Sequence, residues 1–163
     1  MAAGAPAPYV GRMPTTVNDL PELKRLVGEH LGYSEWREVT QEAVNRFADA
    51  TGDHQWIHVD VERAKAGPFG GPIAHGYFTL SLAPVLLPQI LQVGGISMAV
   101  NYGCNKVRFP SPVPVGSRVR VGASLAGVDD VAGGAQVTVD LTFEVEGQDK
   151  PACVAQVVYR YIA

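Results

Sequence analysis

The chain has 163 residues, 47% hydrophobic and 18% charged, with a mean hydropathy of +0.07, the size and apolar content of one globular domain without a large disordered fraction. Its formal charge of −3, from 13 basic and 16 acidic residues, excludes a general nucleic-acid binder, which carries a basic excess. No run approaches the roughly 18 consecutive apolar residues of a membrane span, and the start lacks the basic and apolar regions of a signal peptide, so the expectation is a soluble cytoplasmic domain with neither nucleic acid nor membrane as partner.

The charge is segregated along the chain. Residues 1–62 hold five Lys/Arg and ten Asp/Glu, residues 63–128 hold six Lys/Arg and no carboxylate, and residues 129–163 hold two basic and six acidic residues. Residues 1–14, rich in Ala, Gly and Pro, read as a loose N-terminal arm, and 15–163 as a single domain. Between Val17 and about Gly32, Leu20, Leu23, Leu26 and Val27 recur at helical spacing, with Asn18 as a cap and Gly32 as a stop. Trp36–Thr40 reads as a short strand. A helix then begins at Thr40, carries Val44, Phe47 and Ala48 on one face, and ends near Gly52.

Residues 53–76 read as a functional loop with one helical turn around Val61–Ala66. Gly76–Leu91 is apolar nearly all round and must be buried on most sides. Its Pro84 and Pro88 predict a kink or two shorter pieces, because an interior proline removes a hydrogen bond and collides with the preceding turn. Residues 119–125 and 137–145 alternate apolar and polar with period 2, the signature of antiparallel strands with one buried and one wet face. Ala152–Ile162 is apolar on both faces, as suits a central strand. In Ser97–Pro110 the apolar set Met98, Val100, Tyr102 and Cys104 changes parity before Val107 and Phe109, predicting a bulge near Asn105-Lys106. The economical way to bury one apolar helix beside four long strands is to wrap the sheet around it, an α+β layout. Cys104 and Cys153, without C-x-x-C spacing, read as reduced thiols in strands.

The chemistry concentrates in one segment. His54, His58 and His75 fall within 22 residues, with Asp53 and Asp60 beside them. A carboxylate five residues from an imidazole across a Gly-rich turn is suited to moving protons near neutral pH; the bland alternative is a helix end finished by polar side chains. His54, His58 and Asp60 match no standard zinc spacing, and no G-x-S-x-G nucleophile elbow is present. Gly70-Gly71-Pro-Ile-Ala-His75-Gly76 leads into the apolar helix, where the Gly76 N–H could face a carbonyl oxygen that gains charge.

Phe47-Ala-Asp-Ala-Thr-Gly-Asp53-His-Gln-Trp-Ile-His58-Val-Asp and Gly71-Pro-Ile-Ala-His75-Gly76 together resemble the MaoC-like dehydratases, or (R)-specific enoyl-CoA hydratases, and most closely the NodN-type branch, whose Gly-Asp-His-Gln-Trp-Ile-His stands intact at 52–58. The likeness extends through Asn101–Pro110 and Pro112–Gly116. It implies a hot-dog fold, an antiparallel sheet wrapped around a long central helix, assembled as a homodimer. It implies Asp53 and His58 as the catalytic dyad that activates water and the Gly76 N–H as the group that polarises a thioester carbonyl, with Gln55 and His75 as further oxyanion or substrate-binding candidates. The reaction implied is reversible syn hydration of a trans-2-enoyl thioester to the (R)-3-hydroxyacyl product, carried on coenzyme A or acyl carrier protein, with no metal or other cofactor. Alternatives are a hot-dog thioesterase and a non-catalytic acyl-thioester-binding protein. The wider hydratase pattern has Asn-Pro where Gln55-Trp56 stand here. Lys106, Arg108, Arg118 and Arg120, from the carboxylate-free centre, are candidates for coenzyme A phosphates, or else ordinary solvated strand cations.

Overall fold

The computed structural model describes residues 13–163; most of the expected N-terminal arm lies outside them. Six strands form one antiparallel sheet. Strands β5 (Met98–Arg108), β6 (Arg118–Val131), β7 (Gly134–Val145) and β8 (Cys153–Ile162) supply its length, and β2 (His30–Tyr33) and β3 (Arg37–Glu38) both pair with β6. The order is β2-β6-β7-β8-β5, which leaves β8 flanked on both sides and β5 at an edge. Strands β1 (Thr15–Val17) and β4 (Leu91–Val93) make a separate parallel pair.

The period-2 segments behave as their pattern requires. Val119, Val121, Ala123 and Leu125 of β6 and Val137, Val139, Leu141, Phe143 and Val145 of β7 are all buried, while Arg118 and Arg120 point to the other face and meet Glu146 and Glu144 across the strand pair. Against the inner face lies the apolar segment, divided as its prolines dictate into α5 (Gly76–Ser81), α6 (Ala83–Leu86) and a 3-10 turn, Leu87–Gln89, with Pro84 and Pro88 each in the first turn of a new piece. Phe78, Leu82, Ala83, Leu86, Leu87 and Ile90 enter the core. Tyr77 and Val85 do not: both are exposed, so the segment is buried on one side only within a single chain. This is the α+β hot-dog arrangement.

Two elements depart from the sequence pattern. The helix expected from Val17 to Gly32 is only α1 (Leu20–Lys24), capped by Asp19, whose carboxylate accepts the Glu22 N–H, and not by Asn18. Pro21 starts it, Gly28 takes a left-handed turn at φ 93°, and Gly32 lies inside β2 and stops nothing. Leucine spacing there fitted a helix, yet Leu31 is needed in the core as part of a strand. The bulge near Asn105 is present between Cys104 and Lys106, and a second interrupts β5 between Asn101 and Gly103. Met98, Val100, Tyr102 and Cys104 are all exposed, as are the residues between them on the other face of β5.

Candidate active site

The site is assembled from three short runs of chain. Helix α2 (Gln41–Thr51) begins at Thr40, whose hydroxyl accepts the Ala43 N–H, and ends at Gly52, whose left-handed φ of 83° turns the backbone out of the helix. Only glycine takes that conformation cheaply, so Gly52 fixes where Asp53 emerges. The Asp53 carboxylate accepts the Gln55 N–H at 3.3 Å, and the chain re-enters a single helical turn, α3 (Trp56–Val59), absent from the sequence reading. Asp60 then caps α4 (Val61–Lys65) by accepting the Arg63 N–H, which gives that carboxylate a structural role.

His58 is buried, on α3, and held from two directions. Its Nδ1 lies 2.6 Å from the Ile73 carbonyl; a carbonyl can only accept, so Nδ1 carries the proton and Nε2 presents a lone pair. Its own carbonyl accepts the Gln41 side-chain N–H at 2.7 Å. Ile73 also donates its N–H to the Ile57 carbonyl, so the loop before α5 is laced to α3. Asp53, His58 and His75 offer donor atoms within 4.8 Å of one another. The rings of His58 and His75 stack with centroids 3.9 Å apart and planes 26° off parallel. Stacked imidazoles aim their in-plane lone pairs side by side, whereas zinc requires donors converging at roughly 2.0–2.2 Å.

A cavity of about 270 Å³ opens beside His58, lined also by Ile73, Gly76, Thr79, Phe109, Ser111 and Val113. Gly76 opens α5, and the first N–H groups of a helix have no acceptor within it. A Cβ at this position would meet the Phe109 ring at 3.1 Å, so glycine lets that ring close over the backbone. Phe109, Thr79 and the Pro110–Val113 stretch were not singled out chemically by sequence. Thr79 follows Gly76 on α5, while Phe109 and Pro110–Val113 reach the site because Ile73 bridges Pro114 and the Ala74 N–H donates to the Val113 carbonyl, a long-range pairing with no local signature.

The remaining candidates are dispersed. Gln55 and Asp53 are both exposed and neither lines the cavity; Asp53 joins the site through its carboxylate, within 4.8 Å of the His58 and His75 donor atoms. His75 is buried and its Nε2 is engaged 2.9 Å from the Asp53 carbonyl, so it supports the site from behind the surface. His54 lies outside: it pairs with Asp49 at 2.9 Å on an exposed flank, and that hydrogen bond holds its imidazole above the ordinary value. Trp56 packs its ring where a Gly67 Cβ would stand, 2.9 Å away, with the Arg63 guanidinium over it at 4.4 Å. The four cations do not form one patch. Arg118 is held by Glu146, and Arg120 by Glu144 and between the rings of Tyr33 and Trp36, because β6 runs beside β7, which brings the carboxylates that residues 63–128 lack. Lys106 and Arg108 sit instead on β5, lining a second cavity that shares Pro110 with the first.

Burial pushes the His58 imidazole below the ordinary value of 6.5, assisted by the neighbouring His75 and opposed by the Ile73 hydrogen bond and Asp53. An imidazole depressed on folding takes up its proton more readily in the unfolded chain. Its contribution to stability is therefore whole above 6.5 and is lost as pH falls from there through the lower folded value. The thermal midpoint should drop as pH goes from about 7 to about 5, and His58→Gln should flatten that slope; an equally steep slope in the variant would contradict the assignment.

Comparison with known proteins gives a consistent picture. A family model described as a MaoC like domain matches residues 22–146. The chain is 59% identical over 149 residues to 3-hydroxyacyl-thioester dehydratase Z of Mycobacterium tuberculosis, covering 91% of this chain and 99% of that one. It is 43% identical over 143 residues to nodulation protein N of Rhizobium leguminosarum, covering 83% and 86%. Among solved structures, the monoamine oxidase regulatory protein of an Archaeoglobus species superposes with a TM-score of 0.73 at 25% identity, covering 93% of this chain and 99% of that chain.

Proposed function

The chain belongs to the MaoC-like domain family, and from that membership we propose that it is an (R)-specific 3-hydroxyacyl-thioester dehydratase, a hydro-lyase that interconverts trans-2-enoyl and (R)-3-hydroxyacyl thioesters. The observation that carries the reading is the fixed tautomer of His58. With Nδ1–H committed to Ile73, the Nε2 lone pair is left as a base among the atoms that face Asp53. In the hydration direction a water held between Asp53 and His58 gives its oxygen to C3. One of its protons passes through the dyad to C2 on the same face of the double bond, so the water is consumed whole. The Gly76 N–H stabilises the charge that gathers on the thioester oxygen, an effect worth about 3–4 kcal/mol per donor in other enzymes. The reaction needs no redox group.

Loss of the conjugated enoyl absorbance of crotonyl-CoA or a longer trans-2-enoyl-CoA tests the activity directly. Release of free thiol instead would identify a thioesterase, and stabilisation by acyl-CoA without turnover of any chain length would identify a binding protein.

The carrier's phosphates fall to Lys106 and Arg108. Neither pairs with a carboxylate among the described residues, and their cavity adjoins that of His58 through Pro110. Lys106→Ala and Arg108→Ala should each raise KM for an enoyl-CoA by roughly 3- to 10-fold with kcat unchanged, as loss of a partly screened charge contact implies. Arg118→Ala should leave KM alone. Equal KM values across all three variants would return these cations to the ordinary surface.

The assembly proposed is a homodimer in which β5 of each copy completes the other's sheet. Support comes from β5 itself, an 11-residue edge strand with Met98, Val100 and Tyr102 exposed, since open apolar edges are otherwise liabilities. No helix among the described residues is long and apolar enough to cross a membrane.

A further inference from the structure

His75 is the one buried imidazole to which the chemistry above gives no task. Its Nε2 lies 2.9 Å from the backbone carbonyl of Asp53, which fixes the proton on Nε2, and its Nδ1 is buried with no hydrogen-bond partner among the described residues. One face stacks on His58 at 3.9 Å, and Phe47 tilts against the ring at 4.9 Å. A purely packing role would be served better by phenylalanine, because a buried nitrogen without a partner carries a cost that an apolar ring avoids. What imidazole adds is the Nε2–H.

Its acceptor is badly placed to hold itself. Asp53 stands in the irregular link between α2 and α3, exposed, and its other hydrogen bonds are local and long: its N–H to the Thr51 hydroxyl at 3.4 Å and its carboxylate to the Gln55 N–H at 3.3 Å. The bond from His75 is shorter and spans 22 residues, reaching the head of α5 beside Gly76.

We infer that His75 is the positioning residue shared by both halves of the dyad, carrying Asp53 on its Nε2–H and His58 on its ring face. This rests on the proposed roles of Asp53 and His58. Through the 75–76 peptide it also sets the dyad relative to the Gly76 N–H, so the base and the carbonyl-polarising donor share one support. A displacement near 1 Å between such groups costs a rate factor of the order of 100.

Two substitutions separate the two contacts. His75→Phe keeps the ring and loses the donor; His75→Gln keeps an amide N–H of similar reach and loses the stack. With enoyl-CoA as substrate, His75→Phe should lower kcat by roughly 30- to 100-fold with KM within about 3-fold, and His75→Gln should recover at least part of that loss. The pH profile supplies a readout that packing alone would not move. The titratable groups facing His58 are Asp53, from the α2–α3 link, and His75, at the head of α5; its hydrogen-bond partners, the Gln41 amide of α2 and the Ile73 carbonyl, carry no charge. Removing His75 removes the neighbour that opposes protonation, so the acid limb of kcat/KM should move to higher pH in both variants.

If kcat stays within about threefold of wild type and the limb does not move, while Asp53→Asn and His58→Gln abolish turnover, this inference falls and the dyad stands. Retained turnover in Asp53→Asn and His58→Gln would remove the dyad and this inference with it. Should neither His75 variant fold, nitrogen-15 correlation spectra of the unmodified protein decide. Opposite tautomers, Nδ1–H in His58 and Nε2–H in His75, are required, and Nδ1–H in His75 overturns the assignment.

Discussion

Asp53→Asn and His58→Gln are each expected to cut hydration of a trans-2-enoyl-CoA by at least about 1,000-fold, while the chain remains folded. Positioned acid–base groups contribute roughly 100- to 10,000-fold, and here one pair serves both proton transfers, so either loss should fall in the upper part of that range. The two substitutions differ in their structural cost. Asp53 is exposed, and asparagine can still accept the Gln55 N–H, so stability should hardly change. His58 is buried and its Nδ1–H satisfies the Ile73 carbonyl; a glutamine amide offers a replacement donor, at a cost of about 1 kcal/mol for imperfect geometry. The double variant should be scarcely slower than the worse single one, since groups that act as a unit fail together. Single variants that each retain a tenth or more of the wild-type rate, or losses that multiply in the double variant, would show that water is activated elsewhere.

What the sequence disclosed about this site follows from how far apart the contributing residues lie. Gly52-Asp53 and His58 share one local run, so a motif and a left-handed glycine place them. Gln41 was invisible as a support of His58 because their contact spans 17 residues between two helices, and Phe109 because its approach to Gly76 depends on the sheet. The Gln55 amide continues the motif's polar character, and the residue caps α3 with its backbone while its side chain, like that of Asp53, does not line the cavity. Strands β6 and β7 were legible because one face is wholly core and the other wet. Periodicity also found β5 and its bulge but could not say what covers Met98, Val100 and Tyr102, since an apolar face meant for a partner has the same spacing as one meant for the core. The misread first helix has a related cause, apolar spacing that three successive short elements happen to share.

That ambiguity at β5 yields the second large effect. Val100→Asp combined with Tyr102→Asp should convert the proposed homodimer to a monomer, read as a halving of mass by sedimentation or light scattering. Both residues are exposed in the single chain, so the substitution should not disturb the core, although the Arg160 guanidinium, 4.1 Å over the Tyr102 ring, will lose that contact. In a twofold pairing residue i of one β5 contacts residue j of the other and j contacts i, so two substitutions place four carboxylates along the shared edge. Like charges across a desolvated interface cost several kcal/mol, and an edge strand bearing inward charges is also a poor template for pairing. Tyr77 and Val85, exposed on the central segment, should become more solvent-accessible only if the same interface covers them, and hydrogen exchange in 76–86 reports it. Activity should fall with the dimer, because β5 runs directly into Phe109, the residue that closes over Gly76. A variant that stays dimeric would place the interface on another face, and an unmodified protein that sediments as a monomer would leave β5 as a tolerated open edge.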